Sequence, residues 1–221
     1  MTSVLGILGG TFDPIHCGHL ELARETMSAL GLAAVRFIPA GDPPHRAAPV
    51  ATAGERLAMV ELAVAGYRGL EVDAREIDRP GRSYTVVTIE ELRAENPARP
   101  LALIVGADAF LGLPTWHRWH ELLDLAHIVI VARPGTAFEG MLPLQLVREW
   151  ERRYTSDARA LSATPAGAFI RQPITPRPVS ASAIRAALAR GEPAAVRGLL
   201  PAAVLAYIER NRLYGSPPDA T

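Results

Sequence analysis

The feature that most constrains this chain is the stretch Val4–His19, V-L-G-I-L-G-G-T-F-D-P-I-H-C-G-H. Val4–Leu8 is a short apolar run, the pattern of a strand buried on both faces. Gly9 and Gly10 close it, letting the backbone turn sharply and approach a ligand. After His19 the residues Leu20, Ala23, Met27 and Leu30 recur three or four apart, on one face of a helix. His19 therefore falls at or near a helix N-terminus, where free N–H groups and the helix dipole favour an anion. The glycines Gly6, Gly9 and Gly10 do not make G-x-G-x-x-G. With His16 and His19 beside the turn, the reading is a phosphate site.

The pattern then alternates. Ala34–Pro39 reads as a second strand after a C-cap at Gly31. A loop from Ala40 to Ala53 leaves its end and carries Pro44-His45-Arg46, within reach of the same phosphates. Glu55–Ala65 is the next helix, and Leu70–Asp73 a short third strand. Ser83 is expected to cap a helix from Tyr84 to Asn96, leaving free N–H groups near Tyr84 and Thr85. Leu101–Val105 is a buried strand that runs into Gly106-Ala107-Asp108, where a carboxylate is placed to bond a ribose.

Pro114 opens another helix, to Ala126, with Trp116 as a stacking platform and one of Trp116 and Trp119 in the core. His117 and His120 lack a third ligand at a recognised spacing, so no protein metal site is assigned. His127–Val131 is a fifth strand and Leu144–Tyr154 a helix. Thr155–Gly167 reads as loop, and Ala168–Ile170 as a short sixth strand. After a proline-rich loop, Ser180 caps a helix with Ser182 and Arg185 in its first turns, a second anion site. Ala202–Asn211 is a last amphipathic helix, and residues 215–221 read as a disordered tail.

Composition narrows the function. All 23 basic residues are arginine, balanced by 23 acidic ones. The balance argues against sequence-independent nucleic-acid binding. The absence of lysine removes the Walker-A lysine and Schiff-base chemistry, although a GC-rich genome is the simpler cause of that bias. A single cysteine, Cys17, excludes an intrachain disulfide and fits a reducing, cytoplasmic compartment. No apolar run is long enough for a transmembrane helix and no signal peptide is seen, so a membrane partner is not expected.

Four separated pieces, G-G-T-F-D-P-I-H-C-G-H, P-P-H-R, V-G-A-D-A-F with P-T-W, and V-S-A-S-A-I-R, together with S-Y-T, resemble bacterial nicotinate mononucleotide adenylyltransferase of the nucleotidylyltransferase superfamily. The likeness runs in consistent order from about residue 4 to 214. It implies a single domain over residues 1–221, α/β, with a Rossmann-like doubly wound, mostly parallel sheet of five to six strands and helices on both faces. The core would span about 3–135 and a small C-terminal helical part about 140–214.

It also implies AMP transfer from ATP to nicotinate mononucleotide, giving deamido-NAD and pyrophosphate, with Mg²⁺ carried mainly by the ATP phosphates. His16, His19, Arg46 and Arg185 would serve catalysis at the phosphates. Gly9, Gly10, Thr11, Phe12, Gly18 and Ser182 would bind ATP, and Gly106 and Asp108 would hold its ribose. Tyr84 and Thr85 would bind the nicotinate carboxylate, Trp116 would stack on the pyridine, and Arg133 would neutralise the acceptor phosphate. The last motif departs from I-S-S-T-x-I-R, but Ser182 keeps a hydroxyl. Val86 and Val87 follow S-Y-T where many relatives carry an acid, a departure that bears on acceptor preference.

No nucleophile with a dedicated base stands out, so the expected reaction is direct in-line attack by the acceptor phosphate on the α-phosphorus. The nearest alternative is the same fold acting on nicotinamide mononucleotide or phosphopantetheine. A catalytically dead regulator and a dehydrogenase are the readings from other classes. Monomer and homo-oligomer stay equally open.

Overall fold

The computed structural model describes residues 3–43, 48–132 and 138–215. His45, Arg46, Arg133 and the tail from residue 216 lie outside the described residues. Six strands form one sheet: β1 (Leu5–Gly10), β2 (Ala34–Pro39), β3 (Leu70–Val72), β4 (Leu101–Gly106), β5 (His127–Ala132) and β6 (Phe169–Pro173). Their order is β3-β2-β1-β4-β5-β6. Every pairing in it is parallel, so the sheet is more uniform than the mostly parallel one expected.

The α-helices in chain order are α1 (Cys17–Leu30), α2 (Ala53–Val64), α3 (Arg75–Asp78), α4 (Thr85–Glu95), α5 (Ala107–Leu111), α6 (Trp119–Leu125), α7 (Leu144–Arg153), α8 (Ala160–Ala163), α9 (Ala181–Ala189) and α10 (Ala202–Arg210).

Side chains alternate across the strands with period two, and both faces are apolar. Ala102, Ile104, Val129 and Val131 join a core with α1, α2, α9 and α10, through Leu20, Met59, Ile184 and Val204. Leu101, Leu103, Ile128 and Ile130 join the opposite core with α4 and α6, through Ile89 and Leu122. A sheet covered on both sides explains why the strands read as unbroken apolar runs. The chain leaves β1 toward β2 on one side, and β4 returns on its other side. The crevice for a ligand in such a sheet opens at that reversal, beyond the carboxyl ends of β1 and β4.

Several local expectations change. Gly9 and Gly10 are the last two residues of β1, still in register with Ile38 and Pro39, and the turn begins at Thr11. α1 starts earlier than expected, at Cys17 with His16 as N-cap, so His19 is the third helical residue. Gly31 is its C-cap in the left-handed region, φ 63°, as expected. α2 begins at Ala53, because Thr52 and Glu55 form a capping box ahead of it.

Ser83 does not cap α4. Tyr84 is the N-cap, and the Ser83 hydroxyl oxygen instead accepts from the Gly41 and Asp42 N–H groups at 2.9 and 3.3 Å. The Pro114–Ala126 helix is broken: a 3-10 turn at Leu113–Thr115 is separated from α6 by Arg118 at φ 51°. The Thr155–Gly167 loop contains α8, and α3 was not anticipated. Four-residue helices carry too little periodicity to be read from a sequence.

Candidate functional site

His16 and His19 are placed by the first turn of α1. The His16 N–H donates to His19 Nδ1 at 3.2 Å, and the rings stack with centroids 3.7 Å apart. An Nδ1 that accepts cannot carry the proton, so the neutral His19 ring holds it on Nε2. Phe12 meets His19 edge-on at 5.1 Å. Phe12 is largely buried and supports the imidazole from the core side, and it also lines the cavity that His16 and His19 border. His16 is buried, and its Nδ1 has no hydrogen-bond partner. Gly18 lets α1 approach the segment before α9: a Cβ there would lie 2.8 Å from Val179 Cγ1 and 3.2 Å from the His16 ring. The glycine in H-x-G-H is thus a packing requirement between the two anion sites.

Arg185 comes from the second turn of α9. Its Nη1 donates to the Asp13 carbonyl at 2.6 Å, and its Nη2 lies 3.5 Å from the Ser182 hydroxyl. Asp13 itself is buried. Its carboxylate accepts from Val50 N at 2.8 Å, Ala51 N at 3.1 Å and the Tyr214 hydroxyl at 2.7 Å. This ties the far root of the loop after β2 to the turn after β1. Arg56 ties the near root: Nη1 donates to Thr11 O at 2.7 Å and Nη2 to Gly41 O at 3.1 Å, with the side chain only 1% exposed.

Neither Asp13 nor Arg56 was singled out from the sequence. Arg56 had a readable signal: it shares a helix face with the apolar Met59, Val60 and Ala63, and a charge on an apolar face needs an internal partner.

Two cavities flank the turn after β1. The first, about 460 Å³, is lined by Gly9–Thr11 with Asp108, Tyr84, Thr85, Trp116 and His117. The second, about 560 Å³, is lined by Gly9–Thr11 with His16, His19, Ser180–Ser182 and Arg185. Both volumes suit a small ligand. The structure therefore brings His16, His19, Ser182 and Arg185 to one cavity and Tyr84, Thr85, Trp116 and Asp108 to the other. Gly18 and Gly106 line neither.

Trp116 is half-buried at the cavity wall, whereas Trp119 is the core tryptophan at 7% exposure. His117 is exposed, and its ring lies tilted against Tyr84 with centroids 4.4 Å apart at the edge of the first cavity. A second buried carboxylate, Glu76, lines that cavity too and accepts from the Thr88 hydroxyl at 2.6 Å. Burial raises its pKa, against the pull of the Thr88 and Ser83 hydrogen bonds.

Burial lowers the His16 pKa from 6.5 to about 4. His127 is lowered for the same reason; its Nδ1 accepts from Ala168 N at 3.0 Å, which requires the neutral ring. In the unfolded chain both would take up a proton near pH 6.5. Between that value and the lower native value the unfolded state binds more protons. The stabilisation is complete above about pH 6.5 and is lost as pH falls toward 4. His16 alone accounts for about 2 kcal/mol between pH 7 and pH 5. We expect the urea midpoint of a His16→Gln variant to move less over that interval than that of the unaltered protein. Equal pH dependence would contradict the burial effect.

Among the described residues, no group of three or more His, Cys, Asp or Glu side chains is placed to hold a metal ion. The Asp13 carboxylate is already engaged by its three donors. No helix among the described residues is long and apolar enough to cross a membrane.

The chain matches the cytidylyltransferase-like family model over residues 7–187. It is 48% identical over 216 residues to a protein of Dechloromonas aromatica named "probable nicotinate-nucleotide adenylyltransferase", covering 97% of this chain and 99% of the relative. A protein of Stenotrophomonas maltophilia with the same name is 48% identical over 223 residues, covering 98% and 99%. Among solved structures, Plasmodium falciparum nicotinic acid mononucleotide adenylyltransferase complexed with NaAD superposes with a TM-score of 0.67, 15% identity and coverage of 96% and 97%. That likeness concerns the fold.

Proposed function

This chain belongs to the nicotinate-nucleotide adenylyltransferase family, and on that premise we propose that it transfers AMP from ATP to nicotinate mononucleotide, releasing pyrophosphate and deamido-NAD. The observation that carries the reading is the shared wall of the two cavities. Gly9, Gly10 and Thr11 line both, so donor and acceptor would meet at one backbone turn.

The second cavity suits the triphosphate. Its imidazoles, the Ser182 hydroxyl and the Arg185 fork are donors that match phosphate oxygens. Arg46, from the loop whose roots Arg56 and Asp13 hold, would add charge there. The first cavity suits the acceptor. Trp116 offers a face for the pyridine, and the first N–H groups of α4 have no intrahelical acceptor and favour a carboxylate. Asp108 lines this cavity close to the wall it shares with the second, and in this proposal its carboxylate accepts from the adenosine ribose. Arg133 is assigned to the acceptor phosphate.

Chemistry follows from positioning and charge. The acceptor phosphate oxygen is already anionic and attacks the α-phosphorus in line, with pyrophosphate leaving on the side of His16, His19 and Arg185. Cys17 lines neither cavity, so no covalent intermediate is drawn. A divalent ion, Mg²⁺ in this reading, would ride on the nucleotide's own oxygens, since the described residues build no cage for it, and would neutralise phosphate charge. The setting proposed is the cytoplasm, which the single cysteine fits.

The test is pyrophosphate release with ATP and a panel of nicotinate mononucleotide, nicotinamide mononucleotide and phosphopantetheine. The expected result is a preference of at least about tenfold in kcat/KM for the carboxylate-bearing acceptor. A preference for either other acceptor, or no pyrophosphate with any, would reject the proposal.

A further inference from the structure

We propose that Tyr214, near the end of the described chain, is a positioning residue of the triphosphate cavity, acting through Asp13 on Arg185. This rests on the reading of that cavity given above. Past α10 the chain folds back through two left-handed residues, Arg212 at φ 53° and Tyr214 at φ 60°. Such a conformation is costly for a bulky side chain and persists only where surrounding contacts impose it. Tyr214 is 7% exposed, in the same core as Phe12, Ile15 and Ile184. Its hydroxyl donates to Asp13 Oδ1 at 2.7 Å across 201 positions of sequence.

The arrangement divides one carboxylate among competing donors. Asp13 Oδ1 takes the Tyr214 hydroxyl and Ala51 N; Oδ2 takes Val50 N and lies 3.9 Å from Arg185 Nη1. That same Nη1 donates to the Asp13 backbone carbonyl at 2.6 Å, which aims the fork along the cavity that Arg185 lines. A buried carboxylate that loses a hydroxyl donor must recover the lost interaction. Arg185 is the cation already in contact, and a full ion pair with Asp13 would withdraw it from the phosphates. The Tyr214 hydroxyl thus keeps Arg185 available to the nucleotide.

The test is Tyr214→Phe, which keeps the ring and removes only the hydroxyl, in the full chain. ATP affinity, inorganic tripolyphosphate affinity, and the two KM values are measured, with and without Arg185→Ala. We expect the ATP KM and the tripolyphosphate Kd to rise about tenfold, the nicotinate mononucleotide KM to stay within about twofold, and Tyr214→Phe to add almost nothing on top of Arg185→Ala. Fully additive effects, equal rises in both KM values, no change, or a variant that does not fold would each overturn the proposal in favour of a merely structural tyrosine. Unaltered protein that binds neither ATP nor tripolyphosphate would instead sink the reading of the cavity itself.

Discussion

Replacing His19 by alanine is expected to lower kcat about a hundredfold while the protein stays folded. The ring has one nitrogen committed to the His16 N–H at 3.2 Å, and it stacks on His16 at 3.7 Å. Its position is therefore set before any ligand arrives, so no reorganisation is needed when charge develops on the leaving pyrophosphate. Preorganised donors of this kind act mainly on the transition state, and so the loss should fall on kcat more than on the ATP KM. Structure should suffer little, since the bond from Cys17 N to Leu199 O at 2.9 Å and the close approach of Gly18 to Val179 hold the start of α1 without the His19 ring. Steady-state pyrophosphate release, with circular dichroism to verify the fold, makes the comparison. Turnover near that of the unaltered protein would remove His19 from the reaction.

The second large effect is on stability. Arg56→Met keeps much of the side-chain volume but strips two part-buried carbonyls, Thr11 O and Gly41 O, of their charged donor. Each hydrogen bond from a charged group is worth about 1.5–3 kcal/mol, so a loss of about 3–5 kcal/mol is expected, a sizeable share of a whole domain's stability. The guanidinium exists there because two chain segments leave adjacent strands with carbonyls facing inward. Burial depresses its pKa, and the nearby Asp13 and Tyr214 act in the opposite direction. Since Thr11 borders both cavities, the surviving folded fraction should bind both substrates less well. Urea unfolding of the two proteins side by side reads the first effect. A midpoint unmoved by the change would show that the carbonyls find other partners.

Much of this site could be read one segment at a time. G-G-T-F-D-P-I-H-C-G-H announces itself because strand, turn and helix start are all local events. The same holds for Ser180 as N-cap of α9, whose hydroxyl accepts from Ala183 N at 3.2 Å. Trp116 was legible as a candidate stacking platform and Thr85 as a first-turn residue of a helix, while the ligand assigned to each came from the family resemblance. What stayed hidden were residues whose meaning depends on a partner far along the chain. Ser83 looked like a cap because serine before a helix usually is one, yet it bonds the strand exit at Gly41 and Asp42. His117 had no partner in its own stretch of sequence, yet its ring meets Tyr84, 33 positions earlier, with centroids 4.4 Å apart.

The linear order of residues thus decided the alternation of strands and helices, the two-faced burial of the sheet and the kinds of donors available: imidazole, guanidinium, hydroxyl and backbone N–H. These follow from periodicity, turn chemistry and composition, which act over a few residues. Only the folded chain decided that one backbone turn serves as a wall for two cavities, that Arg56 and Asp13 pin the two roots of the loop after β2, and that Tyr214 reaches back to the first strand's end. Those contacts join positions tens to hundreds of residues apart, and their worth comes from burial, which no local stretch of sequence carries.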